Sequence, residues 1–178
     1  MSDTSILTMI SPTNTSTSRF DALYRTNAAD IYAYVASLLG DRASAEDVTA
    51  QAFERAYRRR RSFDARRGNE RAWLFGIARN AALDELRRRK RRATLVLDPE
   101  DPAALAAFEE DETSARWLTV TAALATLDAR ERELIALKFH AGLSNAEIAA
   151  VTKTSETNAG TRLHRAITRL REACNDTA

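Results

Sequence analysis

A chain of 178 residues, 44% hydrophobic and 29% charged, holds apolar material for one compact domain or two small ones. Five Gly and three Pro are too few for a turn-rich all-β fold, and no window approaches the roughly 18 consecutive apolar residues of a membrane span. The net charge is only +2, and the single cysteine, Cys174, excludes an internal disulfide framework or a multi-Cys zinc site. These bounds predict a soluble, cytoplasmic, all-α protein.

Residues 1–18 contain ten Ser/Thr and no periodicity, which predicts a disordered leader. No Lys or Arg precedes Arg19 and the early apolar stretch breaks at Ser11-Pro12, so no secretory signal is expected. Phe20, Leu23, Tyr24, Asn27, Ile31, Tyr34, Val35 and Leu38 recur at helical spacing, and Gly40-Asp41 ends that helix. Ser44-Ala-Glu-Asp47 has the pattern of a capping box opening a second helix, packed through Val48, Ala52, Phe53, Ala56 and Tyr57. A polar loop containing Gly68 leads to Asn69, an N-cap for a third helix carrying Trp73, Leu74, Ile77, Ala78, Ala81 and Leu86.

Charge is strongly segregated along this path. Glu54 to Arg92 holds 15 Lys/Arg against 5 Asp/Glu, a net of +10, whereas Asp98 to Glu112 holds 7 acidic residues and no basic one. Pro99 and Pro102 interrupt any helix there, so the acidic stretch reads as a flexible linker. A second helical group follows. Trp117, Leu118, Thr121, Leu124 and Leu127 form one stripe, and Asp128-Ala-Arg-Glu131 opens the next helix, which Gly142 ends. Ser144-Asn-Ala-Glu147 caps a short helix, and Ser155 caps a last long one with Leu163, Ile167 and Leu170. Two small helical domains on a tether are expected.

Two segments carry recognition chemistry. From Gly142 to Arg165 the short helix, turn and long helix make a helix-turn-helix, which places the start of the last helix at base edges in the major groove. Ser155, Glu156, Thr157, Asn158, Thr161, Arg162 and Arg165 are its groove-side candidates, with His164 in reach of a phosphate. The same spacing equally serves a tri-helical packing unit in which Arg162, Arg165 and Arg169 form a solvated face. The other segment, Asn69–Arg92, joins Trp73 and Phe75 to Arg79, Asn80 and six consecutive basic residues, a combination suited to unpaired DNA. Trp73 at helical spacing from Ile77 fits a core position better than a stacking platform. Asp84, four residues before Arg88, fits an intrahelical ion pair. His140 and His164 lack ligand-spaced partners, and no phosphate-cradling loop or nucleophile elbow is present, so no catalytic residue, metal or cofactor is expected.

Taken together, these residues resemble the extracytoplasmic-function sigma factors, the two-domain branch of the sigma-70 family. The resemblance rests on Ala45-Glu-Asp-Val-Thr-Ala-Gln-Ala-Phe53, on the run from Ala72 to Arg88, on Leu124 to Leu134, on Gly142 to Ala149 and on Arg162 to Ala166. It implies a polymerase and promoter domain at 19–92, a linker at 93–113 and a helix-turn-helix domain at 114–178. It further implies that Asp47, Gln51 and Phe53 lie on the helix that docks core RNA polymerase. Trp73, Arg79, Asn80, Asp84, Arg87 and Arg88 would meet the minus-ten element of promoter DNA, and the last helix would read the minus-thirty-five element. An anti-sigma factor is the expected regulator. Family members often carry a Thr-Val-Lys-Ser-like run where this chain has Asn158-Ala-Gly-Thr161; Gly160 costs about 1 kcal/mol of helix propensity relative to Ala, and close approach to DNA would account for it. The helix-turn-helix alone also resembles that of quorum-sensing-type response regulators, so a stand-alone regulator is the alternative. A nucleic-acid enzyme with an unrecognised site is a third class. The basic first domain separates these: a sensing domain has no need of a +10 helix pair, and an enzyme should bring carboxylates or histidines together.

Overall fold

The computed structural model describes residues 12–95 and 115–176. Helix α1 spans Pro12–Leu39 and buries Ile31, Tyr34, Val35 and Leu39 on one stripe. It begins at Pro12, so the helix takes in residues that the sequence reading assigned to a disordered leader. Proline suits that first position because its missing N–H would have no intrahelical partner. Residues 1–11 of that leader lie outside the described residues. Gly40 closes the helix in the left-handed region at φ 72°, donating its N–H to Ala36 O at 3.0 Å.

Helix α2 spans Arg42–Arg59, and its N-cap is Asp41, whose carboxylate accepts from Ser44 N–H at 2.8 Å. The expected Ser44 capping box is therefore replaced by a cap three residues earlier. Two single 3-10 turns, Arg60–Ser62 and Ala65–Arg67, lead to α3, Glu70–Leu95. Asn69 caps α3 by accepting from Arg71 N–H at 2.9 Å. Helices α1, α2 and α3 enclose Val35, Val48, Ala52, Leu74, Phe75, Ala78 and Ala82.

The second group comprises α4 (Ala115–Ala125), α5 (Ala129–Phe139), α6 (Asn145–Thr152) and α7 (Glu156–Asp176). The expected helix starts at Asp128 and Ser144 are both present, each as a capping box, Asp128 with Glu131 and Ser144 with Glu147. Gly142, at φ 62°, turns the chain after α5. Leu134, Leu137, Leu143, Ile148, Ala159, Leu163 and Ala166 fill the interior. The two groups are not separate: α1 packs on α5 and α3 on α6, and the buried apolar side chains form one contiguous cluster. The fold is all-α, with no strand among the described residues. The acidic stretch Asp98–Glu112 lies outside them.

The helix caps set an acid limit on stability. The Asp128 carboxyl is held below its ordinary range by the Glu131 and Arg130 backbone N–H groups, and that of Glu147 by the Ser144 N–H and hydroxyl. Burial works to raise the Asp41 and Glu85 carboxyls, but hydrogen bonds from Ser44 and Arg89 on the first, and from Arg88 and Arg89 on the second, leave both lowered. Groups with depressed folded values stabilise the fold fully above the ordinary carboxyl range of about 4 and lose that contribution as pH falls through the folded values. Thermal melting followed by helical circular dichroism should hold from pH 7 to 5 and decline below about pH 4. A melting temperature unchanged at about pH 3 would refute the role given to these caps.

Candidate nucleic-acid interface

The turn between α6 and α7 is tight because Lys153 adopts the left-handed conformation, φ 57°. Both Lys153 and Thr154 donate their N–H to Ala149 O, the latter at 3.0 Å. Ser155 then caps α7, its hydroxyl accepting from Asn158 N–H at 3.2 Å. Ala159, Leu163 and Ala166 face inward at helical spacing. Ser155, Glu156, Thr157, Asn158, Thr161, Arg162, His164 and Arg165 are all exposed. The seven groove-side candidates thus share the outer side of one helix. The Asn158 amide donates to Thr154 Oγ1 at 2.7 Å, which orients it beside the first turn. Gly160 has a neighbour within the chain: a Cβ there would come to 3.2 Å from Nδ2 of Asn145 on α6. That atom is the tip of an exposed side chain, which would have to shift by a few tenths of an ångström to admit a Cβ at 160.

The first group distributes its candidates less evenly. Asp47 is exposed on α2 and Gln51 is half-buried. Phe53 turns inward, only 5% exposed, with its ring edge-to-face against Tyr24 at 4.7 Å. The resemblance places Phe53 on the docking helix; in the fold its ring faces inward, behind the exposed side of that helix. Trp73 is half-buried and leans on Phe63 at 5.5 Å, consistent with a core-anchored ring.

Asn80, Asp84, Arg87 and Arg88 line the exposed side of α3. Asp84 pairs with Arg87 at 3.1 Å and with Arg55 of α2 at 3.4 Å, while Arg88 pairs with Glu85. The expected Asp84–Arg88 pair is thus replaced by these contacts. Within the basic tract Arg89 has a structural task. It donates to Leu39 O at 2.9 Å and to the Asp41 carboxylate, tying the end of α1 to the start of α2. Arg87, Arg88, Lys90, Arg91 and Arg92 remain exposed.

Arg79 is placed where sequence reasoning did not anticipate. Its Nε donates to Glu133 Oε1 at 2.6 Å and its Nη2 to Oε2 at 3.3 Å, in a two-pronged pair with α5. The Tyr34 hydroxyl donates to the same Oε1 at 3.3 Å. Burial first, and then the adjacent Glu133 charge, push the Tyr34 hydroxyl well above its ordinary value. Arg71 also crosses between the groups, donating to Ala141 O at 2.6 Å and His140 O at 3.2 Å. Neither Glu133 nor Arg71 carries a sequence signal, since their partners lie tens of residues away on other helices. Among the described residues no cluster of three His, Cys, Asp or Glu side chains could hold a metal, and no helix is long and apolar enough to cross a membrane.

An exposed polar and cationic helix presented by a helix-turn-helix, beside a second helical group with a basic tract, defines a two-part DNA-binding protein. Residues 23–92 match the family described as sigma-70 region 2, and residues 118–170 match sigma-70 region 4. The sigma factor SigL of Mycobacterium tuberculosis, an extracytoplasmic-function RNA polymerase sigma factor, is 35% identical over 152 residues, covering 84% of this chain and 85% of its own. SigM of Bacillus subtilis, of the same description, is 28% identical over 164 residues, covering 87% and 94%. Among solved structures, the sigma factor RpoE in complex with the anti-sigma factor NepR from Bartonella quintana superposes with a TM-score of 0.77. It is 26% identical, with 88% of this chain and 97% of that one covered. CnrH in complex with the cytosolic domain of CnrY gives a TM-score of 0.65 at 25% identity, covering 93% and 96%. The chain belongs to the extracytoplasmic-function sigma factors of the sigma-70 family. It is an alternative sigma factor, which binds core RNA polymerase, recognises promoter minus-ten and minus-thirty-five elements and promotes transcription initiation. The region 2 match at 23–92 disfavours the stand-alone regulator.

Proposed function

We propose that residues 19–92 form the domain that docks polymerase and opens the minus-ten element, and that residues 114–178 form the domain that reads the minus-thirty-five element. Residues 93–113 connect them. On this reading Asp47 and Gln51 of α2 contact polymerase, while Phe53 holds α2 in place. Trp73, Arg79, Asn80, Asp84, Arg87 and Arg88 of α3 meet minus-ten DNA. Ser155, Glu156, Thr157, Asn158, Thr161, Arg162 and Arg165 of α7 meet minus-thirty-five DNA. The protein works in the cytoplasm without catalysing a reaction of its own, and an anti-sigma factor restrains it. The relatedness to RpoE, which was solved with such a factor, supports that partner.

The observation that carries this reading is the one-sided exposure of α7, with every groove-side candidate outward and Ala159, Leu163 and Ala166 inward. Run-off transcription with purified core polymerase tests it. Adding the chain should confer promoter-specific initiation, and Asp47→Arg should abolish most of that effect by weakening polymerase binding. Asp47 is exposed and Asp41 makes the cap of α2, so the substitution should change stability by no more than about 0.5 kcal/mol. A large loss of melting temperature with unchanged polymerase affinity would assign Asp47 to the fold instead.

A further inference from the structure

We propose that Arg19 is a positioning residue for promoter opening. From the beginning of α1 it fastens the connection between α2 and α3 onto α3, and so fixes the Trp73 ring. The effect on opening rests on the reading that Trp73 meets minus-ten DNA; the fastening itself does not. Arg19 stands four residues before the sigma-70 region 2 match begins at residue 23, so this contact lies outside the matched domain. The connection, residues 60–69, contains only two single 3-10 turns. Within it Ser62 donates to Arg59 O at 2.7 Å, and Arg66 N–H donates to the Asp64 carboxylate at 3.0 Å. These bonds span two or three residues, so they shape the turns without fixing them against α3.

The beginning of α1 supplies that fixing at both ends of the connection. Phe20 meets the Tyr57 ring edge-to-face at 5.1 Å, and the Arg60 guanidinium lies 3.9 Å from the centre of the same ring. At the other end Arg19 donates to Glu70 Oε2, through Nη2 at 3.1 Å and through Nε at 3.4 Å. Its guanidinium also lies 5.8 Å from the centre of the Phe63 ring, within the range of a cation–π contact. Phe63 in turn leans on Trp73 at 5.5 Å, with the ring planes 54° apart. One cation thus bridges the connection to the first residue of α3, and it holds the ring against which Trp73 rests. The Arg19 and Glu70 side chains are 63% and 28% exposed, and an ion pair this open adds little to global stability. The consequence is local. With Phe63 free to drift, the half-buried indole of Trp73 gains rotamers and loses the fixed placement that recognition of an unpaired base requires. Two donors of Arg19 are spent on Glu70 and its face on Phe63, which favours support over a direct phosphate contact.

Trp117→Phe leaves Trp73 as the sole tryptophan of the full chain. In that background Arg19→Ala should raise acrylamide quenching of Trp73 and red-shift its emission, at unchanged helical circular dichroism and melting temperature. The variant should bind core polymerase as the wild type does. Its holoenzyme should open a promoter, selected by the wild-type holoenzyme from random DNA, more slowly by up to about fivefold, the ceiling set by an exposed charged pair. Permanganate reactivity of the unpaired thymines reads that rate. Arg19→Lys keeps a cation for both partners and should recover much of the loss. Glu70→Gln cuts the same contact from the other side and should slow opening likewise. Faster opening by Glu70→Gln, with a salt slope lowered by about one in Arg19→Ala, would make Arg19 a direct phosphate contact and overturn the positioning role. Unchanged Trp73 fluorescence in both Arg19→Ala and Glu70→Gln overturns the fastening. Altered fluorescence with unchanged opening overturns its part in promoter opening. Failure of the wild-type chain to support initiation strikes the sigma-factor reading, while the fluorescence still decides the fastening.

Discussion

Replacing Phe75 by alanine should lower the unfolding free energy by about 3–5 kcal/mol. Phe75 is fully buried on α3, its ring edge-to-face with Tyr34 at 5.4 Å and beneath the Arg71 guanidinium at 5.2 Å. Truncation removes apolar burial and leaves a void between α1 and α3 that close-packed neighbours cannot fill. Against typical domain stabilities of about 5–15 kcal/mol, that loss is a large share of the total and should lower the unfolding midpoint well below that of the wild type. Phe139 provides the internal comparison: it is 66% exposed at the end of α5, so Phe139→Ala should stay within about 0.5 kcal/mol. Urea unfolding monitored by helical circular dichroism gives both values. Equal midpoints for the two variants would mean that Phe75 does not occupy the core position described.

The helices and most of their ends were legible because they depend on short-range chemistry. Asp128 with Glu131 and Ser144 with Glu147 satisfy free amides within one turn, and the structure contains both boxes. The second helix misled the same rule. Asp41 and Ser44 are both good caps three residues apart, and the choice of Asp41 is reinforced by Arg89, 48 positions away. Phe53 illustrates a different gap. Its spacing with Val48, Ala52 and Ala56 already marked it as core, whereas the family motif identifies the helix and not the direction in which each side chain points. The recognition helix was readable because its buried positions, Ala159, Leu163 and Ala166, leave one outward side. The contact between domains was not. Glu133 looks like any helical glutamate in sequence, and its partners Tyr34 and Arg79 are 99 and 54 residues distant. Periodicity cannot report a pairing between surfaces that fold separately along the chain.

Asn158→Ala and Arg162→Ala should both impair promoters that depend on the minus-thirty-five element, but in different ways. Asn158 is exposed in the first turn of α7, with its amide oriented by Thr154 Oγ1 at 2.7 Å. On the proposed docking an amide there reaches a base edge, and two hydrogen bonds to one adenine are worth about 1–3 kcal/mol of discrimination. Its loss should therefore relax preference at a single promoter position and leave other positions as they were. Arg162 is exposed one turn further along, and on the proposed docking it meets a phosphate rather than a base edge. Removing it should weaken all sequences alike and reduce the slope of log affinity against log salt by about one. Holoenzyme carrying each variant, measured on a set of single-base promoter changes at several salt concentrations, separates the two effects. A uniform loss from Asn158→Ala together with a position-specific loss from Arg162→Ala would exchange their roles and rotate α7 in the groove. If neither substitution alters affinity or base preference, α7 does not enter the groove by this face, and the outward side of the helix must serve a protein contact instead.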